Sequence, residues 1–172
     1  HSTLPVDKNT LFGIGSASKS MTTLLMARMV DQKKIHWSSP AQSLYQGFDL
    51  GDSDLGKNIT MEQLVCNCSG VPPRDGGMLF TSEWSADKIF QDLEKVSPLA
   101  PLSAKSFNYN NHLFAAAGHI IGNLGNNVID PMGYVNLMRE EVFLPIDMGR
   151  STADPSLAHS DPNIATGKGL PA

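Results

Sequence analysis

Two side chains three residues apart near the start of the chain, Ser16 and Lys19, are of the types that make an activated nucleophile. Residues at that spacing share one face of a helix, so the lysine amine can reach the serine hydroxyl. An apolar setting and the positive end of a helix both favour a neutral amine. Such an amine takes the hydroxyl proton and activates the oxygen without a histidine. The backbone N–H of Ser16 is then placed to stabilise an oxyanion. Ahead of it, Gly13-Ile14-Gly15 leaves backbone space beside the hydroxyl. The spacing recurs at Ser85 and Lys88, but Ser85 stands where an amphipathic helix needs its N-cap, and capping accounts for it.

A second group should pass the proton on to a leaving group, and Tyr-x-Asn supplies one. It occurs at Tyr109-Asn110-Asn111 and at Tyr134-Val135-Asn136. Tyr134 falls inside a predicted amphipathic helix and reads as core packing. Tyr109 lies on a loop just before a helix, which presents a phenol into a cleft as base or acid. Without Ser16 beside it, Tyr109 reads as structural.

Other chemistries find no support. His1, His36, His112, His119 and His159 form no His-Glu-x-x-His pattern, so no metal site is expected. His112 and His119 are two helical turns apart and read as surface or core residues. Gly13-Ile14-Gly15 lacks the third glycine of a dinucleotide fingerprint, and there is neither a Walker loop nor a Gly-x-Ser-x-Gly elbow. No cofactor is expected. Cys66 and Cys68 are one residue apart, a separation at which a disulfide is hard to close, and they read as two small half-buried thiols. Asn58 and Asn67 each stand in a glycosylation triplet.

The elements that must position these groups are mostly helices. Leu11-Phe12 reads as a short strand within a leading segment 1–15. From Ser16 a helix runs to about Gln32, with Met21, Leu24, Leu25, Arg28 and Met29 at helical spacing. Residues 37–47 read as irregular, and 51–56 as a turn-rich loop. Thr60 and Gln63 form a capping box, and Gly70 is suited to the left-handed C′ position of the helix they open. Ser85 caps a helix carrying Ile89, Phe90, Leu93 and Val96. A further helix covers 111–123, and Asp130-Pro131 opens one that ends before Pro145. Beyond Met148 no helix is predicted. The domain reading is therefore one partial domain, 1–172, with a helical part over 16–147 and a linker over 148–172.

The 172 residues are 41% hydrophobic and 17% charged, with a net charge of −4. That composition is globular, and it argues against a non-specific nucleic-acid binder. No apolar run approaches the roughly 18 residues of a membrane-spanning helix, so none is expected. The chain opens without a basic stretch followed by an apolar one, so no signal peptide is expected within it.

Four ordered blocks carry a family resemblance. Phe12-Gly-Ile-Gly-Ser-Ala-Ser-Lys-Ser20, Thr60-Met-Glu-Gln-Leu-Val-Cys-Asn-Cys-Ser-Gly-Val-Pro72, Phe107-Asn-Tyr-Asn-Asn111 and Phe143-Leu-Pro-Ile-Asp-Met-Gly149 with Thr152 span most of the chain. Together they resemble the serine β-lactamase and penicillin-binding-protein superfamily, in its class C-like branch of carboxylesterases and D-aminopeptidases. The resemblance implies an α/β (α+β) fold, of which this chain is mainly the helical lobe, with most of the antiparallel sheet missing. It implies Ser16 as the acylated nucleophile, Lys19 as its base, Tyr109 as the proton relay and Asn111 as a contact to a substrate amide. The implied activity is that of a serine hydrolase or acyltransferase working through an acyl-enzyme, and the implied substrate is a small acyl compound: an ester, a D-amino-acid peptide or a β-lactam. A non-catalytic binding or assembly protein, or an inactive fragment, is the alternative. A secreted or periplasmic setting is expected, with a cytoplasmic one left open.

Two departures stand out. Relatives usually carry His-Thr-Ser-Gly where this chain has Asn67-Cys68-Ser69-Gly70; packing like that of relatives would leave Asn67 unsuited to glycosylation. The third motif, Lys-Thr-Gly or His-x-Gly on a strand, has no counterpart, and Gly167-Lys168-Gly169 reads as loop. The sheet and that motif would come from a further segment or a second chain.

Overall fold

A glycine in the left-handed region starts the first helix. Gly15 (φ 50°) turns the chain into a 3-10 turn, Gly15–Ala17, that leads straight into α1, Ser18–Asp31. The structure, a computed structural model, describes residues 5–51, 53–74, 85–97, 101, 106–126 and 128–167. After α1 come α2 (Ala41–Leu44), α3 (Ser53–Asn58), α4 (Met61–Val65), α5 (Ala86–Leu93), α6 (Asn111–Gly122), α7 (Pro131–Met138) and α8 (Pro155–Ser160).

Helix α6 is the centre of the arrangement. His112, Leu113, Phe114, Ala116, Ala117, Gly118, Ile120 and Ile121 are all buried, so this helix is apolar nearly all round and is enclosed by its neighbours. It packs against α1, α2, α4, α5 and α7. Gly118 and Gly122 let α7 approach closely: a Cβ at Gly122 would strike the backbone nitrogen of Tyr134, and one at Gly118 would lie 3.1 Å from the Tyr134 ring. From α1 the buried side chains are Thr22, Leu25, Met26 and Met29, at three- and four-residue intervals. The stripe expected from the sequence is thus rotated, and Leu24 is left 45% exposed.

Local capping signals set several helix starts. The Thr60–Gln63 box closes α4, with Thr60 N–H donating to Gln63 Oε1 at 2.9 Å. Ser85 Oγ accepts from the Lys88 N–H to cap α5, whose Ile89, Phe90 and Leu93 are buried, as is Val96 just beyond it. Asp130 caps α7 with Pro131 in its first turn. The chain continues from α7 as a π turn, Arg139–Phe143, and a 3-10 turn, Leu144–Ile146, that contains Pro145 and ends at Asp147 (φ 58°).

Several expectations need correction. Leu11-Phe12 forms no strand; Leu11 makes a single parallel bridge to Ile164, and among the described residues there are only isolated bridges, no strands. Three short helices were not expected. Helix α2 follows Pro40, α3 occupies most of the supposed loop 51–56, and α8 follows Asp154, which caps it through the Ser156 N–H. Each is six residues or fewer, too short for an apolar repeat to show. The segment after α4 turns left-handed first at Asn67 (φ 54°), ahead of Gly70 (φ 72°). That turn carries a further correction: Cys66 and Cys68 form a disulfide. The left-handed Asn67 swings the two cysteines together, with Cα atoms 5.1 Å apart, inside the usual disulfide range.

The tail comes back to the start of the chain. Leu11 N–H donates to Asn163 O and Ala165 N–H to Leu11 O, at 2.9 and 2.8 Å. Arg150 reinforces the closure by donating to Asn9 O and to Asp161 Oδ2. Of Gly167-Lys168-Gly169, the last two lie outside the described residues.

Candidate active site

Ser16 sits in the 3-10 turn at the head of α1, exposed, with open space around Gly13 and Gly15. One helical turn on, Lys19 reaches back, and its Nζ lies 3.2 Å from Ser16 Oγ. The same amine donates to Asn111 Oδ1, in the first turn of α6. It also stands over two rings, 4.5 Å from the centre of Tyr109 and 5.5 Å from that of Phe114. Lys19 is half-buried, so these faces and the carboxamide hold its direction.

Tyr109 arrives from 93 residues away and donates its Oη hydrogen to Ser16 Oγ at 2.6 Å. The structure therefore brings Ser16, Lys19, Tyr109 and Asn111 to one place, with the amine and the phenol both on the serine oxygen. Chemically, such a set can take a proton from a hydroxyl and deliver one to a departing group.

A cleft of about 510 Å³ runs from Ser16 and Lys19 between α1 and α6, past Asn111 and Phe114, to Thr22 and Tyr134. That size suits a small ligand. Tyr134 packs against the core as expected and, half-buried, also lines the far end of this cleft, where its hydroxyl pairs with Thr22 Oγ1 at 2.9 Å. Burial pushes its phenol above the ordinary value, with the Thr22 hydrogen bond opposing. His119 borders the cleft as well, and burial holds its imidazole below the usual histidine value, favouring the neutral ring. His112 is buried with Nε2 4.0 Å from Asp92 Oδ2. Among the described residues no group of three or more His, Cys, Asp or Glu side chains could hold a metal ion.

Two supporting residues were not read from the sequence. Asn110, between Tyr109 and Asn111, is 1% exposed and uses its whole side chain. Its Oδ1 accepts from the Leu113 N–H, capping α6, while Nδ2 donates to Val71 O and Pro72 O. An asparagine at a predicted helix start was the available signal. Asn67 is the other: its backbone oxygen accepts from Asn108 N–H at 2.8 Å and its Oδ1 from Asn110 N–H at 3.1 Å. Those two amides flank Tyr109. Asn67 was read as a glycosylation triplet and as a departure from His-Thr-Ser-Gly, and nothing local in the sequence points to this contact.

The fold around this site is that of β-lactamases and penicillin-binding proteins. The octameric penicillin-binding protein homologue from Pyrococcus abyssi superposes with a TM-score of 0.73 over 95% of this chain and 37% of its own, at 24% identity. The family model described as Beta-lactamase matches residues 1–170, and the chain belongs to that family. Two curated relatives are similar in sequence. The unguisins hydrolase ungD of Aspergillus violaceofuscus is 25% identical over 182 residues, covering 94% of this chain and 32% of that protein. The unguisins hydrolase ungD' of Aspergillus campestris is 26% identical over 151 residues, covering 83% and 27%. The chain thus spans about a third of the length of the relatives it matches. The described part is mostly helical and without strands, consistent with the helical lobe of this fold. No helix in the described residues is long and apolar enough to cross a membrane.

Proposed function

We propose that this chain carries the nucleophile of a serine hydrolase that works through an acyl-enzyme. The observation that carries the reading is the convergence of Lys19 Nζ and Tyr109 Oη on Ser16 Oγ, at 3.2 and 2.6 Å. Ser16 Oγ attacks the acyl carbon while Lys19 takes its proton. Tyr109 relays a proton to the leaving group as the carbon–leaving-group bond breaks. Water then attacks the acyl-enzyme and the same groups return the proton to Ser16. Asn111 keeps Lys19 aimed at the serine and offers its carboxamide to a substrate amide.

The substrate class is an ester, a D-amino-acid peptide or a β-lactam. The names of the two relatives, which are hydrolases, favour transfer to water. The sheet and the third motif come from a further segment or a second chain, which would cover the exposed Ser16 and complete the oxyanion site. A disulfide at Cys66–Cys68 fits a secreted or periplasmic setting.

The test is intact-mass spectrometry of the full-length protein after incubation with a fluorophosphonate and, separately, with a penicillin. The expected result is one adduct, mapped to Ser16 and lost in Ser16→Ala. A folded protein that takes no adduct, or takes it equally in Ser16→Ala, overturns the reading.

A further inference from the structure

The loop that presents Tyr109 is held by a clamp with one pivot residue. Asn67 grips the backbone on both sides of the tyrosine, through its carbonyl to the Asn108 N–H and through its side chain to the Asn110 N–H. Both grips require the left-handed backbone at Asn67 (φ 54°), which aims carbonyl and carboxamide at the same segment. Asparagine is one of the few residues besides glycine that adopts this conformation, which competes with the ordinary extended and helical regions. The Cys66–Cys68 disulfide closes a ring around Asn67 and holds it there, and Cys68 N–H adds a bond to Cys66 Sγ at 2.9 Å. Two residues further, Gly70 N–H donates to Ser106 O, so the whole 67–70 turn is laid along 106–110.

We infer that the Cys66–Cys68 disulfide is a positioning device for Tyr109, and that its reduction releases Asn67 and slows acylation of Ser16. This rests on the proposed nucleophilic role of Ser16. The step is a two-electron exchange with a dithiol. One Cys thiol forms by attack of the dithiol on the disulfide and the other as the mixed disulfide resolves. The dithiol, oxidised to its own cyclic disulfide, supplies two electrons and two protons. Cys66 and Cys68 are half-buried, not sealed in the core. Once the ring opens, Asn67 can leave the left-handed region and both grips are lost together. Tyr109 Oη now donates over 2.6 Å to Ser16 Oγ, and a displacement of about 1 Å at such a contact can cost up to about a hundredfold in rate.

The experiment compares oxidised full-length protein with the same protein reduced by dithiothreitol, with thiols counted. Two things are read: hydrogen exchange of the Asn108 and Asn110 amides, and the rate of fluorophosphonate labelling of Ser16. On reduction both amides should exchange about tenfold faster, with the interior amides of α6 unchanged, and labelling should slow about tenfold and recover on reoxidation. The paired variant Cys66→Ser with Cys68→Ser should resemble the reduced protein and ignore the dithiol. Asn67→Ala should be slow with its disulfide intact. Asn67→Asp, which keeps an acceptor and tolerates the left-handed region, should restore labelling, a rescue that a merely structural role of the bridge would not produce. Equal exchange and equal labelling in the two redox states overturn the inference. Faster exchange with unchanged labelling overturns its catalytic half. If Ser16 is not labelled in either state, the nucleophile reading fails, and the exchange data alone decide whether the clamp exists.

Discussion

Asn110 is where a single substitution should cost both stability and chemistry. Changing it to alanine removes the acceptor that caps α6, about 1 kcal/mol for a helix start of this kind. It also removes the donor to two carbonyls. Pro72 is half-buried and its oxygen can turn to water, but Val71 is fully buried. Its oxygen, left unpaired, costs about 1–3 kcal/mol. The sum is about 2–4 kcal/mol, and urea unfolding of the full-length protein should show it as a lower midpoint at unchanged slope. Asn110→Ser keeps a capping oxygen without the donor to Val71, so it should recover about 1 kcal/mol of that loss. Labelling of Ser16 should slow in both variants, because Tyr109 and Asn111 flank the anchor in sequence. An alanine variant within about 0.5 kcal/mol of the parent would show that α6 is not held at this residue, contrary to the accounting above.

Lys19→Ala and Tyr109→Phe should each slow Ser16 acylation by about 10²–10⁴-fold while circular dichroism stays unchanged, as expected for lost proton transfer; stopped-flow labelling checks this. Gly122→Ala should destabilise, because its Cβ meets the Tyr134 and Gly133 backbone, which cannot rotate away. Overpacking of about 1–3 kcal/mol there outweighs the gain of up to about 1 kcal/mol in helix propensity, and thermal melting would give the sign. Glu141 provides a pH test. Hydrogen bonds from Arg28, then Gln32, hold its carboxyl below the ordinary 4.5. A depressed folded value means the stabilisation is complete above the ordinary value and disappears as pH falls through the lowered one. Arg28 is 41% exposed in its side chain, so the pair is worth no more than about 1 kcal/mol. The stability gap between the parent and Glu141→Gln should therefore close as urea midpoints are followed from about pH 6 down to about pH 3.

What the sequence determined by itself is what neighbours within four residues decide. Thr60 with Gln63, Ser85, and Asp130 with Pro131 mark helix starts because the orphan N–H groups they satisfy lie two or three residues on. Ser16 and Lys19 belong to the same class of fact, since one helical turn brings them together whatever the rest of the chain does. The unexpected helices show the limit of such reading: α2 and α3 are too short for a periodic signal, and α8 was missed although Asp154-Pro155 repeats the signature seen at Asp130-Pro131. Only the tertiary structure could decide the rest. Burial of α6 carries Asn111 to Lys19, and the loop before it carries Tyr109 to Ser16 across 93 positions. The close approach of α7 puts Tyr134 against the core and, on its other side, at the cleft. A left-handed turn at Asn67 joins two cysteines that sequence spacing alone seemed to keep apart. The cysteine pairing turns on the backbone conformation of the one residue between them. In the other cases the partner is selected by packing between distant segments, and the pattern of types along a single chain does not encode which distant residues meet.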